Sequence, residues 1–291
     1  MLNKFYLLIF ILITSYAWGD KAYALGEKGH YLVCQLAYQQ LSAAQQTDVK
    51  QLMSYFPESE RKRLKKHLRL PKKHQLTFAD ACSWPDSIKQ LKQYKQFNQW
   101  HFINVGRDRT IIDSSFVKSN CKLNCIIDAI SYHQKQLQSQ QKGWLKLQAL
   151  LFLGHWLGDI HQPLHVSFKS DLGGNKSLIK DASKYCSNLH RVWDSCLINH
   201  LNRKTYVIDQ TFKIDSKDHY SQDNINYWAT QSLKISRLPK TMYCQIIDSH
   251  CQPHKQPIIL PKNYQLEQQE VLLTQINLAA KRLFLMINSD L

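Results

Sequence analysis

The chain has 291 residues, of which 38 are Lys or Arg and 22 are Asp or Glu, for a formal charge of +16. An excess of this size points to a polyanionic partner. With no repeat and no Pro/Gly/Ser-rich linker, the chain excludes a repeat array or a pair of tethered domains.

The chain opens with MLNKFYLLIFILITSYAWGDKAYA, in which Lys4 precedes an apolar run over 5–13 and Ala22, Tyr23 and Ala24 form an A-x-A cleavage signature. The run is shorter than the roughly 20 residues of a spanning helix. It predicts a secretory signal peptide over 1–24, a mature N-terminus at Leu25 and one domain over 25–291. Within residues 29–41, apolar side chains at 32, 33, 36, 37 and 41 recur at helical spacing, with His30 at the start of the predicted helix. The basic run over 61–66 reads as a solvated helix face.

Residues 144–157 are apolar almost all round and rich in strong helix formers, which predicts a buried central helix that Pro163 ends or kinks. Residues 266–287 predict a second long core helix. Alternating patterns are scarce, and a short ribbon around 173–179 or 206–208 is the most β structure expected. The fold class is therefore all-α, one compact multi-helix domain around a central buried helix. Eight cysteines in an exported chain favour disulfides, with Cys121/Cys125 and Cys244/Cys251 the simplest pairs. Cys34, inside a helical pattern, fits a buried small hydrophobe as well as a bridge.

The chemistry centres on GHWLGDIHQPLH. His155 and Asp159 are four apart on a predicted helix, so they share one face and can meet a common ion. His165 follows just beyond Pro163. NLHRVWDSC repeats the spacing with His190 and Asp194, while CSWPDSIKQ and QWHFINV add Asp86 and His101, each beside a tryptophan. One such pair alone would read as a helical salt bridge or a satisfied core histidine. Here the first pair lies in the most apolar segment, where a carboxylate needs compensation. Five histidines and three aspartates exceed one site and suggest a multinuclear zinc cluster without thiolates. Closely spaced metals suit phosphate-ester hydrolysis, and Lys89, one turn after Asp86, could neutralise the phosphoryl group.

The blocks GHYLVCQLA, ACSWPDSIK, WHFINV, FLGHWLGDIHQPLHVS, GGN and NLHRVWDS run in order along nearly the whole mature chain. Together they resemble the trinuclear-zinc, single-strand-specific nucleases and 3′-nucleotidases of the fungal S1/P1 type, a family with the phospholipase C/P1 nuclease-like fold. The resemblance implies three Zn2+ ions. Asp86, His101, His155 and Asp159 would hold one, and His165, His190 and Asp194 another. Asp159 would bridge to the third, bound also by His30 and by the amino nitrogen and carbonyl oxygen of processed Leu25. The family usually has tryptophan there, but chelation through backbone atoms tolerates Leu25.

Asp86, Lys89 and Asp159 are the expected catalytic residues, and the resemblance implies base stacking by Phe102. Asn188 aligns with a base-contacting asparagine. Asn104 stands where fungal members carry an aspartate, and its amide both donates and accepts, which alters base preference. His161 is not a family ligand and is expected to pack or to make a supporting hydrogen bond. GGN, residues 173–175, shapes the rim, and the glycosylation pattern at Asn175 is a chance match.

The expected activity is a secreted zinc endonuclease that hydrolyses single-stranded RNA and DNA to 5′-phosphate products and also takes 3′-nucleotides. It is expected to be monomeric, with no stable membrane association. Two rivals remain: a trinuclear-zinc phospholipase C acting on choline-type head groups, and a non-catalytic polyanion-binding protein with structural zinc. The basic chain, Phe102 and Asn188 favour nucleic acid, and structural zinc sites are usually closed and Cys-rich.

Overall fold

The computed structural model describes residues 25–201 and 212–291. The signal-peptide segment and the ribbon expected at 206–208 lie outside them. Helices α1 (Glu27–Gln40), α2 (Ala43–Ser54) and α3 (Glu58–His67) come first, then the short α4 (Phe78–Ala81) and α5 (Trp84–Ile88). A 3-10 helix, Lys92–His101, leads into strand β1 (Ile103–Val105). Next come α6 (Ser114–Asn120), α7 (Ile126–Ser139), α8 (Trp144–His161), a 3-10 turn at Pro163–His165 and strand β2 (Val166–Phe168). The rest comprises α9 (Leu189–Asp194), α10 (Gln222–Ser236), a hairpin of β3 (Gln245–Ile247) and β4 (His250–Gln252), and α11 (Tyr264–Asp290). The fold is all-α, and the strands among the described residues are three residues long.

Helix α8 is the predicted central helix, and every residue from Ala149 to His161 is buried. Helices α1, α7, α10 and α11 pack around it. Each fully buried Leu on it is worth roughly 1.5–3 kcal/mol relative to exposure, and this apolar surround fixes the helix that carries His155 and Asp159. It ends where expected: Gln162 takes an extended conformation before Pro163. Helix α3 buries only Leu64, in keeping with a solvated basic face.

Four disulfides join Cys34–Cys82, Cys121–Cys125, Cys186–Cys196 and Cys244–Cys251. Both short staples form. Cys34 is fully buried and also bridged, so the two readings of it coincide. Its bridge lies against α8 at Gly154, where an added Cβ would stand 2.5 Å from Cys34 Sγ and 2.8 Å from Cys82 Sγ.

No ribbon forms at 173–179. Gly173 and Gly174 take φ of +66° and +83°, a turn that breaks any strand, and beyond it only isolated bridges join Leu178 to Asn188 and Ile179 to Ile258. Instead β1 and β2 pair in parallel, Ile103 opposite Val166 and Val105 opposite Phe168. Strand β2 follows directly on His165 and β1 begins two residues after His101, so the pairing holds two predicted ligands side by side.

Candidate active site

All nine predicted metal ligands gather in one place. Asp159, fully buried, is the hub. Its Oδ1 accepts from the backbone N–H of Leu25 at 3.1 Å and faces His30 Nε2 at 3.4 Å and His165 Nδ1 at 3.6 Å. Its Oδ2 faces His101 Nδ1 at 2.9 Å and His155 Nε2 at 3.4 Å. One carboxylate thus serves two groups of ligands through different oxygens. Asp86 joins from α5, with Oδ1 3.6 Å from His155 Nε2, and the rings of His30 and His155 stack at 3.7 Å.

Asp194 makes the third group. Its Oδ1 lies 3.4 Å from His165 Nε2 and its Oδ2 3.1 Å from His190 Nε2. Backbone carbonyls orient the rings: Nδ1 of His155 donates to Cys82 O, of His165 to His101 O and of His190 to Gly173 O, at 2.9, 2.6 and 2.6 Å. Each such bond fixes the tautomer that leaves Nε2 as a ligand. Neither these carbonyls nor Gln162, whose amide donates to Asp194 Oδ1 at 2.6 Å, could be read from motif or spacing.

Small residues let the N-terminal segment reach the cluster. The backbone N–H of Gly26 donates to Asp194 O at 2.7 Å, and a Cβ there would meet the same oxygen at 2.7 Å. A Cβ on Gly158 would stand 2.8 Å from His30 Nδ1. Close approach, of the Asp194 backbone at Gly26 and of the His30 ring at Gly158, explains both glycines.

The electrostatics match a cation site. Burial acts to raise the Asp159 carboxyl, but His155 and His165 outweigh it and hold it well below the usual range. Burial likewise opposes the ionised Asp86 and Asp194, yet Lys89 and His155 keep the first low and His190 and His165 keep the second at about 2. Burial lowers His155 well below its ordinary value, assisted by His30, and takes His101 to about 4 with help from Lys89. His165 instead rises, to about 9, because Asp159 and Asp194 outweigh its burial. Neutral His101 and His155 beside ionised carboxylates are in the protonation state that metal ligands need, whereas His165 gives up a proton when an ion binds.

The donor set also fits zinc. Three groups of buried side chains bring one donor atom each within 4.8 Å of one another: His30/Asp86/His155, His101/His155/Asp159 and His165/His190/Asp194. Both ring nitrogens of His30 and Nε2 of His165 are buried without a hydrogen-bond partner among the described residues. Such orphaned acceptors are what an ion would satisfy.

The cluster opens on a cavity of about 520 Å³ whose lining includes Lys89, Phe102, Asn104, Asn175, Lys176 and Asn188. Lys89 Nζ lies 2.6 Å from Asp86 Oδ1. Asn104 is the outward residue of β1. Asn188 lines the wall, but its Oδ1 caps α9 by accepting from Arg191 N–H at 2.9 Å. Asn175, taken from the sequence only as part of the rim, and Gln90, Asn98 and Lys176, which sequence reasoning passed over, also face the cavity. His161 stays out of the cluster: its Nδ1 donates to Leu157 O at 2.6 Å and its Nε2 accepts from buried Arg282.

The S1/P1 Nuclease family model matches residues 25–291, which include every residue of the cluster.

The chain belongs to the S1/P1 nuclease family.

Among curated relatives of this family, Endonuclease 3 of Arabidopsis thaliana is 31% identical over 238 residues, 78% of this chain and 74% of that protein. Endonuclease 5 of the same plant is 30% identical over 78% of this chain and 75% of its own length. Nuclease S1 of Aspergillus oryzae is 29% identical over 118 residues, 40% of each chain. As an S1/P1 nuclease the protein is a hydrolase of phosphodiester bonds, and the phospholipase and non-catalytic alternatives are not favoured.

Proposed function

We propose that the protein is a secreted endonuclease that cuts single-stranded RNA and DNA at a three-zinc site, leaves 5′-phosphates, and also removes the phosphate of 3′-nucleotides. The observation that carries this reading is the convergence of five histidines, three aspartates and the Leu25 backbone at the floor of a cavity walled by Phe102. One ion would rest on Asp86, His101, His155 and Asp159, and a second on His165, His190 and Asp194. A third would rest on Asp159, His30 and the amino nitrogen and carbonyl oxygen of Leu25. Residues 1–24 are then a signal peptide, and 25–291 the nuclease domain, which acts as a monomer.

When bound, zinc supplies Lewis acidity for activating water and for neutralising charge on the phosphoryl and leaving oxygens. The protein supplies position. Asp159 ties two ligand groups together through its two oxygens, and Asp86 orients Lys89 toward the cavity. Lys89 holds a phosphoryl oxygen as charge builds on it. Phe102 stacks on an unpaired base, a contact that a duplex cannot offer because its bases are already stacked. Asn104 and Asn188 meet the base edge, where Asn104 as an amide accepts bases that a carboxylate would repel.

The test is elemental analysis of the processed protein beside its hydrolysis of single- and double-stranded substrates. Three zinc ions per chain and faster turnover of single strands are expected. Turnover of phosphatidylcholine vesicles without nucleic-acid cleavage would overturn the reading.

A further inference from the structure

Lys92–His101 is one 3-10 helix of ten residues, long for a geometry usually confined to three or four. Three residues per turn place side chains i and i+3 in line, and KQYKQFNQWH repeats with that period. One row turns inward. Tyr94 and Phe97 have ring centroids 6.2 Å apart, Phe97 and Trp100 4.9 Å, and Phe97 packs on Phe152 at 4.9 Å. A second row, Gln93, Gln96 and Gln99, is exposed.

The third row is Lys92, Lys95, Asn98 and His101. It ends in the metal cluster. Asn98 lines the cavity beside Lys89 and Phe102, and its buried Oδ1 has no hydrogen-bond partner among the described residues. Lys95 and Lys92 carry the row out of the cavity onto the exposed surface. Among the described residues neither meets a carboxylate at ion-pair distance. At about 2 Å rise per residue the row steps about 6 Å and places Lys92 about 18 Å along the axis from His101.

We propose that this row is a phosphate track for the substrate strand. With the scissile phosphate at the cluster, the phosphates on one side of it lie against Asn98, Lys95 and Lys92 in turn. The step of the row is comparable to the spacing of phosphates along an extended single strand, and its charge is complementary to them. The row is continuous with the catalytic cavity, whereas lysines scattered over a surface would hold a strand in no fixed register. The track gives the enzyme a grip on long strands that a dinucleotide cannot use. This inference rests on the endonuclease reading.

The test compares the holoenzyme with a Lys92→Gln/Lys95→Gln variant on a single strand of about twelve nucleotides and on a dinucleotide. For the strand, KM rises about tenfold, the size expected for two solvent-screened ion pairs. Across roughly 50 to 200 mM salt, the slope of log KM against log salt becomes shallower by about 1.4. Dinucleotide turnover stays unchanged, and Lys92→Arg/Lys95→Arg restores the strand KM. An unchanged strand KM and salt slope overturns the track, as does an equal loss on the dinucleotide, which would mean damage to His101. If the wild type cleaves neither substrate, the endonuclease reading fails. The track is then read from affinity for an uncleavable phosphorothioate strand, and equal binding by both proteins rejects it.

Discussion

The backbone nitrogen of Leu25 stands 3.1 Å from Oδ1 of Asp159, a residue 134 positions further along the chain. Gly26 fixes that placement through its bond to Asp194 O, and the Leu25 side chain is buried. A free amine there would offer a metal ion its lone pair, whereas the lone pair of a peptide nitrogen is tied up in amide resonance. Adding one alanine before Leu25 is therefore expected to remove about one zinc in three and most of the activity, read by elemental analysis and single-strand hydrolysis. Full zinc content with full turnover would exclude Leu25 from the site.

Gly158 leaves the space that His30 occupies. A methyl group there would lie 2.8 Å from His30 Nδ1 and 3.3 Å from Leu25 Cδ2. Gly158→Ala improves helix propensity by about 1 kcal/mol but forces the ring aside, an overpacking cost of roughly 1–3 kcal/mol. The expected variant loses up to about 2 kcal/mol of stability and binds one ion more weakly. A titration showing wild-type affinity for every ion would contradict this.

The parts of the fold that were legible obey a period of 3.6. Residues 144–157 are apolar almost all round and announced the buried helix that α8 forms over Trp144–His161, and 266–287 announced the long helix α11, observed over Tyr264–Asp290. The 3-10 helix was silent because Tyr94, Phe97 and Trp100 recur every third residue, which matches neither an α-helix nor a strand. Strands β1 and β2 are too short for alternation to show. For the site, the side-chain ligands were readable from type and spacing. Their orientation was not, because it comes from the carbonyls of Cys82, His101 and Gly173, and carbonyls leave no mark in a sequence.

The Cys34–Cys82 bridge closes a long loop and packs against α8 at Gly154, on the helix that carries His155 and Asp159. By loop-closure entropy, a separation of 48 residues corresponds to about 4 kcal/mol. Replacing both cysteines with alanine is expected to lower unfolding free energy by about that amount and to leave a void beside Gly154. Denaturant titration measures it, and a loss below about 1 kcal/mol would mean that the helical core alone holds the site.

His133 sets a pH dependence of stability. Burial among Phe97, Trp100, Phe152 and Trp156 lowers it to about 3, and the Ala129 carbonyl offsets burial only in part. The unfolded chain binds the proton near 6.5, so between about 6.5 and 3 the unfolded state carries more protons than the folded one. The contribution of neutral His133 is thus complete above about pH 6.5 and is lost as pH falls, by up to about 1.4 kcal/mol per unit. A His133→Gln variant is expected to show a correspondingly shallower decline across that window. Parallel stability curves would place the acid sensitivity elsewhere.

Lys89 is placed for a role through charge near a phosphate bound in the cavity. Its Nζ lies 2.6 Å from Asp86 Oδ1, its side chain keeps about a fifth of its exposure, and it lines the cavity shared with Phe102 and His165. It is thus placed to contact substrate without being a ligand. Lys89→Met is expected to lower kcat about a hundredfold, the size of losing one donor to a transition-state oxygen, with little change in KM. Zinc content separates this from a structural role: Lys89 competes with cations for Asp86, so removing it leaves occupancy equal or higher. Lys89→Arg should recover part of the rate, since it restores the charge in a different geometry. Loss of zinc in Lys89→Met would make Lys89 a support for Asp86, and an unchanged kcat would remove it from the catalytic step altogether.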